Sequence, residues 1–398
     1  MSRFLAYTSP ARGHLYPMVA TLLELYRRGH DVHVRTLASE VAVLREVGLN
    51  AEAIDPAIEH TPLETWRATT PEEGLALALA TFSRRAVHEV PDLAAAIGQV
   101  QPDALIIDIT TPGAAAVAEA EGIPWARTIP LFQHFSMGPE PATEVTLVPF
   151  GMAPAGIDVL NDPRRRLGLS PLAGPDEVWR APLHVYYTAP PFEDPGLTFP
   201  PSFRLVGPGL WEPPAEAPVW LDEIDRPLVL VSVSSEFQRD DALVEAVLEA
   251  MRSEAVEVVV TTAAHDPGRF RPQPNARLTT WLSHGPMLRK AAVAVCHGGM
   301  GITQKALAAG VPVCVVPFGR DQFEVAGRVA ATAAGTVMMP AALDPATLKL
   351  AVREAMTMSK GADAVASGFA LAGGAGAAAD ALESLTGATS RLSTIAAG

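Results

Sequence analysis

Residues 297–301 read HGGMG, one histidine and three glycines (Gly298, Gly299 and Gly301) in five positions, between the apolar run 293–296 and an alanine-rich stretch that ends at Gly310. Glycine loses more conformational freedom on folding than any other residue, so such a cluster marks a backbone that turns sharply or is closely approached. A strand that runs into glycines and then opens a helix gathers unpaired N–H groups and the positive end of the helix dipole at one point. That is an anion site, and phosphate is its commonest occupant. The spacing is neither the G-x-G-x-x-G of dinucleotide-binding folds nor the lysine-bearing P-loop. A tight turn alone accounts for one or two of the glycines. It does not account for His297 and Thr303, each of which can donate a hydrogen bond to a phosphate oxygen.

His14 is the second candidate. It lies in SPARGHLYP (9–17), directly after an apolar strand-like run, and a side chain there points from the strand's carboxyl end into the crevice where α/β sheets bind ligands. An imidazole of ordinary pKa, ~6.5, is largely neutral near pH 7 and can take a hydroxyl proton. His30 and His33 look like a metal-binding pair, but the spacing across a turn and a strand puts them on different faces, with no third ligand near in sequence. No paired acidic metal motif is present, and we expect no metal or other cofactor.

These residues need strands that end where they begin. FLAYT (4–8) reads as a strand, PMVATLLELYRR (17–28) as a helix closed by Gly29, DVHVRT (31–36) as a strand, SEVAVLREVG (39–48) as a helix and AEAI (51–54) as a strand. DALIIDI (103–109) and the stretches after it continue the alternation, which predicts a parallel sheet wrapped by helices. Between about 138 and 218 prolines crowd the chain, and GPGLWEPPAEAP (207–218) reads as an extended connector. Alternation then resumes from PLVLVSVS (227–234) through the glycine loop to TVMMP, and an Ala/Gly-rich helical stretch with breaks closes the chain. The expectation is α/β: two Rossmann-like, doubly wound parallel-sheet domains. Their predicted boundaries are 1–207, a linker 208–218, a second domain 219–386 whose last helix can return to the first, and a frayed tail 387–398.

The 398 residues supply material for two such cores, with 48% hydrophobic residues and mean hydropathy +0.19. A net charge of −14, from 30 basic and 44 acidic residues, with no Lys/Arg run long enough to track a phosphate backbone, argues against a nucleic-acid partner. Two cysteines, Cys296 and Cys314, both in apolar strand-like runs, make no disulfide framework. The N-terminal apolar stretch is too short for a signal sequence, and no window reads as a membrane span. A cytoplasmic protein is expected, with a homodimer left open.

HGGMGITQKALAAGVPVCVVPFGRDQ (297–322) resembles the donor-binding signature of the GT-B-fold, inverting nucleotide-sugar glycosyltransferases that include the macrolide and other natural-product enzymes. Thirteen positions agree in register: His297, Gly298, Gly299, Gly301, Thr303, Ala306, Leu307, Gly310, Val311, Pro312, Pro317, Asp321 and Gln322. The resemblance implies GT-B architecture with two domains facing a central cleft. It implies that the glycine loop binds the diphosphate of a TDP- or UDP-sugar and that Asp321 and Gln322 contact the sugar. Without the register, Asp321 would read as a helix N-cap and Gln322 as an exposed residue. Two positions depart from the pattern: Ile302 stands where a hydroxyl residue is usual, and Lys305 stands where an acid reaches the donor ribose, so the lysine would add attraction to the diphosphate. TWLSHGPML (280–288) resembles the family's base-binding segment, with Ser283 and His284 replacing Pro-Gln. Trp281 is there either a stacking platform, with Leu282 beside it, or a core residue. Ser234 or Ser235, in VSVSSE (231–236), falls where the family delivers a small hydroxyl toward the phosphates.

RGHLYP resembles the family's G-H-x-x-P, in which the histidine is the catalytic base, and Asp108 in LIIDITTPG (105–113) matches its aspartate partner. As a helix N-cap Asp108 would stand too early, and Thr111 fits the cap better. The implied reaction is direct displacement. His14, oriented by Asp108, deprotonates an acceptor hydroxyl, which attacks the anomeric carbon with inversion. The helix N-terminus and His297 meet the charge on the leaving diphosphate without a metal. Residues 75–90 and 129–138 mix apolar and aromatic side chains that suit a largely apolar small-molecule acceptor, with Phe82, Phe132 and Phe135 as pocket candidates and His88 and His134 nearby. A nucleotide-sugar epimerase on the same fold, or a non-catalytic nucleotide-sugar-binding auxiliary protein, would need the glycine loop but not the His14–Asp108 pair.

Overall fold

The computed structural model describes residues 1–132, 154–174, 177 and 181–396. The described residues form two parallel sheets, one in each of two compact units. The first unit comprises Met1–Tyr187, Leu197–Gly209 and the chain from Gly373 onward; the second comprises Thr188–Gly196 and Leu210–Ala372. Two segments fall outside the predicted boundaries: residues 188–196 cluster with the second unit, and that unit takes in the chain from Leu210, within the expected linker. Residues from 373 onward cluster with the first unit, the return that the sequence left open for the last helix. In addition, the last helix, Gly374–Ala396, continues through the stretch read as a frayed tail.

The first sheet holds β1 (Arg3–Tyr7), β2 (Asp31–Thr36), β3 (Asn50–Ala53), β4 (Ala104–Asp108), β5 (Trp125–Ile129), β6 (Leu183–Tyr186) and β7 (Phe203–Leu205), in the order β3-β2-β1-β4-β5-β6-β7. Strands β1 and β4 are covered on both faces, which is why they read as continuous apolar runs rather than alternating ones. β6 and β7 went unread because prolines at 182, 190, 191, 200 and 201 bracket strands of only four and three residues. The helix after β1 spans Arg12–Arg27, starting five residues before the predicted position, and buries Leu15, Met18, Val19, Leu22 and Leu25. Tyr26, on the same helix, is exposed. A 30-residue helix, Pro71–Val100, opened by a Thr70 side-chain cap, packs Leu93, Ala96 and Ile97 against the sheet.

The second sheet holds β8 (Leu228–Ser232), β9 (Glu257–Thr261), β10 (Ala276–Thr279), β11 (Ala291–Cys296), β12 (Val313–Val315) and β13 (Gly335–Val337), in the order β10-β9-β8-β11-β12-β13. Its core joins Val229, Val231, Val258, Val260, Val293 and Val295 to Leu243, Val244 and Val247 of the helix Asp241–Met251. In each sheet the order reverses once, between β1 and β4 and between β8 and β11, and the connections leaving those neighbours diverge to open a crevice at the carboxyl ends.

One stretch departs from the expectation about membrane spans. Residues 359–387 are long and apolar enough to pass a spanning test, with mean hydropathy 1.3. Alanines with a few Val, Phe and Leu residues produce that average, and the chain there is two helices, Ser359–Leu371 and Gly374–Ala396, interrupted at Gly373 with φ +86°. The second carries Asp380 and Glu383, which pair with Arg28 at 2.6 and 2.9 Å; Glu383 also pairs with His30 at 2.8 Å.

Candidate functional site

Both sequence-derived motifs lie at the two reversal points. In the first unit His14 is the third residue of the Arg12–Arg27 helix, and Asp108 is the last residue of the neighbouring strand β4. Because β1 and β4 pair in parallel, Tyr7 opposite Ile107, both end on the same edge. His14 Nδ1 lies 2.8 Å from Asp108 Oδ2, with the imidazole partly exposed and the carboxylate fully buried. The second oxygen, Oδ1, accepts from the Thr110 amide at 2.7 Å and the Thr110 hydroxyl at 2.5 Å. A buried carboxylate with both oxygens occupied has one orientation, so His14 presents Nδ1–H to it and leaves Nε2 as the acceptor. Thr111 holds the N-cap position of the helix Pro112–Glu121, as expected from the sequence, but its hydroxyl donates to the Asp108 carbonyl at 2.7 Å instead of capping. The helix's first turn is met by Glu89, a residue the sequence did not flag, whose Oε2 accepts from the Gly113 amide at 2.8 Å. Burial pushes the Glu89 carboxyl up to about 8.

In the second unit β11 runs into the glycine turn, and Gly299 caps the helix Met300–Ala308. The turn answers its own sequence. Gly298 adopts φ +85°, and a Cβ on Gly299 would stand 2.3 Å from His297 Nε2, so these two glycines have internal reasons. Gly301 has neither: nothing lies within 4 Å of where its Cβ would be.

The expected donor residues divide. His297 is buried, and its Nδ1 faces the Ser232 carbonyl at 3.4 Å. Burial lowers its pKa below the ordinary histidine value. With Nδ1 donating to that carbonyl, the neutral ring keeps Nε2 as an acceptor, on the side of Gly299. Thr303 is fully buried, with its hydroxyl 3.6 Å from Cys296 Sγ. Ile302 is buried. Ser234, two residues beyond the end of β8, is buried and Ser235 is exposed. Trp281 is 46% exposed, so it is no core residue, and Leu282 beside it is half-buried. Asp321 occupies the N-cap position of the helix Gln322–Ala331 without capping it. Gln322, expected to face a sugar, is buried; its Oε1 accepts from the Phe318 and Gly319 amides at 2.7 and 3.1 Å.

Lys305 does not stand ready for a diphosphate. Its Nζ lies 3.0 Å from Oε1 of Glu212, in the proline-rich stretch read as a connector. Glu212 also accepts from the His284 and Gly285 amides at 3.0 and 2.9 Å and from the Ser283 hydroxyl at 2.8 Å. Burial opposes its charge, but Lys305 and those amides outweigh it and hold the carboxyl at about 2. Burial and Lys305 push His284 down to about 4, so it is neutral. Partners 71 to 93 residues apart leave no trace in a sequence pattern. Of the acceptor candidates, Phe82 and Phe132 are buried, the latter edge-on to Tyr186 at 6.5 Å, and count as core. His88 is half-buried on the Pro71–Val100 helix. Phe135 and His134 lie outside the described residues.

Two parallel α/β units, each with its functional motif at the sheet reversal, define a protein of the GT-B fold. The fold is shared with the solved glycosyltransferase VinC in complex with DTDP, at TM-score 0.73 and 22% identity over 96% of this chain and 99% of that one. Residues 245–382 match the family described as erythromycin biosynthesis protein CIII-like, C-terminal domain. Along the chain it is 28% identical over 390 residues to the 4'-demethylrebeccamycin synthase of Lentzea aerocolonigenes, covering 88% of this chain and 91% of the relative. It is 25% identical over 359 residues to the NDP-glycosyltransferase YjiC of Bacillus licheniformis, covering 87% and 88%. The chain is a glycosyltransferase that resembles the GT-B natural-product glycosyltransferases along most of its length.

Proposed function

We propose that the enzyme transfers a sugar from a TDP- or UDP-sugar to a hydroxyl of a largely apolar small molecule, with His14 as base and Asp108 as its orienter. The observation that carries this reading is the 2.8 Å contact between His14 Nδ1 and a carboxylate buried with its other oxygen occupied by Thr110. The acceptor O–H proton passes to His14 Nε2 as the acceptor oxygen bonds to the anomeric carbon. The bond from that carbon to the diphosphate breaks, its electron pair leaves with the diphosphate, and Asp108 stabilises the imidazolium. Attack opposite the leaving group inverts the anomeric centre.

The leaving group's charge meets the N-terminus of the Met300–Ala308 helix, whose amides are preorganised for an anion, so the reaction is proposed to need no metal. The open space at Gly301 supports close approach of a ligand to that backbone. Asp321 is the proposed sugar contact and Trp281 the proposed platform for the nucleobase. The relative named an NDP-glycosyltransferase and the neighbour crystallised with DTDP favour a nucleoside-diphosphate donor over other activated sugars. The test is a thermal-shift panel of TDP, UDP and GDP on the full chain, with and without EDTA. A ligand at ~100 times its Kd stabilises by ~2.7 kcal/mol. A shift with TDP or UDP that survives EDTA is expected; no shift with any of the three overturns the donor assignment.

A further inference from the structure

We infer that Gln238 is a positioning residue of the donor site, one carboxamide that orients Ser234 on one side of the glycine turn and Gln322 on the other. The inference rests on the donor-site reading above. Gln238 is buried in the connection from β8 to the helix Asp241–Met251. Its Nε2 donates to Ser234 Oγ at 2.7 Å, and its Oε1 accepts from Gln322 Nε2 at 2.5 Å. Strand β11, which delivers the glycine turn, lies between β8 and β12, so this bridge joins the loops flanking the turn. Gln322 touches the turn itself: a Cβ on Gly298 would stand 3.3 Å from the Gln322 Cβ.

The bridge sets polarity as well as position. Ser234 is fixed at its amide, which donates to Asp240 Oδ2 at 2.7 Å, and Asp240 is held from its other oxygen by His265 Nε2 at 2.8 Å. Ser234 Oγ accepts from both Gln238 Nε2 and the Glu236 amide, the latter at 3.2 Å. With two bonds accepted, the hydroxyl keeps its own hydrogen for a further acceptor such as a phosphate oxygen. At the other end, Gln322 Oε1 is taken by two loop amides and one Nε2 hydrogen by Gln238, which leaves one N–H for a sugar hydroxyl. An amide flipped at Gln238 would point two donors at Gln322 Nε2 and an acceptor at Ser234, reversing what both sides offer. The network thus presents one O–H and one N–H of fixed direction across the turn.

The test is calorimetric titration of TDP and TDP-glucose into the full chain and into Gln238→Met, Ser234→Ala and their double variant. Methionine keeps the volume and removes both hydrogen bonds. Gln238→Met is expected to weaken TDP about tenfold and TDP-glucose further, with the urea midpoint of the free protein little changed. Because Gln238 acts on the diphosphate through Ser234, the double variant should bind TDP no more than about twofold worse than the weaker single. Should Gln238→Met fail to fold, Gln322→Leu cuts the same bridge from its other end and is expected to weaken TDP itself, which lacks the sugar. Wild-type affinity for TDP in the cut variant, or single losses that multiply in the double, overturns the positioning role. A wild-type chain that binds neither TDP nor UDP instead removes the donor-site reading on which the role rests.

Discussion

Asp108 reaches His14 through one carboxylate oxygen and Thr110 through the other, so a single buried side chain fixes the candidate base and is itself fixed by its own turn. Replacing the acceptor oxygen toward His14 by an amide favours the wrong tautomer. The same exchange in a serine-protease triad lowers turnover by ~10⁴. We predict that Asp108→Asn lowers kcat by at least ~10² with donor affinity nearly unchanged, that His14→Ala is no less damaging, and that the double variant is little worse than either. Near-wild-type turnover in Asp108→Asn with any reactive hydroxyl acceptor would remove the assigned roles.

Thr110 is the softer test of the same arrangement. Thr110→Val keeps the amide bond to Asp108 and removes the hydroxyl bond, a contact to a charged group worth roughly 1.5–3 kcal/mol. We expect a measurable drop in kcat, smaller than that of Asp108→Asn, with unchanged TDP affinity by calorimetry. A kcat loss that exceeds that of Asp108→Asn contradicts this order of roles.

We predict that His297 binds a diphosphate best when protonated, because its neutral form already spends the Nδ1 hydrogen on Ser232. Burial lowers its pKa in the free protein, and an anion at Nε2 would raise it in the complex. TDP affinity should therefore fall as pH rises through the complex's His297 pKa, with proton uptake on binding visible as a dependence of the calorimetric enthalpy on buffer ionisation. His297→Ala should weaken TDP and abolish that dependence. A buffer-independent enthalpy in the wild type between pH 5.5 and 8 contradicts proton uptake at this site.

Glu212 makes the second unit acid-sensitive. Its folded pKa, about 2, lies below the ordinary 4.5, so its stabilisation is present above pH 4.5 and is lost as pH falls toward 2. The linkage is on the order of 3 kcal/mol. Glu212→Gln should be less stable than wild type at pH 7 by urea unfolding, with the gap narrowing by pH 3; a gap that stays constant contradicts a charged Glu212.

Glu89 has the opposite sign. Its folded pKa, about 8, lies above the ordinary 4.5, so stability is fully present below pH 4.5 and is lost as pH rises through 8. Glu89→Gln, which keeps an acceptor for the Gly113 amide, should match wild type near pH 5 and exceed it by pH 8.5. The gap should be on the order of 4 kcal/mol. Parallel urea midpoints across that range contradict a buried neutral acid.

Local patterns carried much of this protein. Central strands buried on both faces must be apolar throughout, so β1, β4, β8 and β11 are visible as runs, and glycines must follow β11 because the chain turns there with φ +85°. His14 and Asp108 were readable because each follows such a run. β6 and β7 were not, since prolines hide strands of three or four residues that are fixed by pairing, β6 with β5 and β7 with β6.

What the sequence determined by itself is thus the alternation and the residue types that stand just beyond β1, β4 and β11, because strand burial and turn chemistry act over a few neighbours. Only the tertiary structure decided which side chains those residues meet. It seated Thr303 against Cys296, gave Lys305 to Glu212, spent the Nδ1 hydrogen of His297 on Ser232, and placed Gln238 between Ser234 and Gln322. The contacts of Lys305 with Glu212, His297 with Ser232 and Gln238 with Gln322 join segments 65 to 93 residues apart, and a hydrogen bond's direction depends on which partner arrives, a choice that no local spacing encodes.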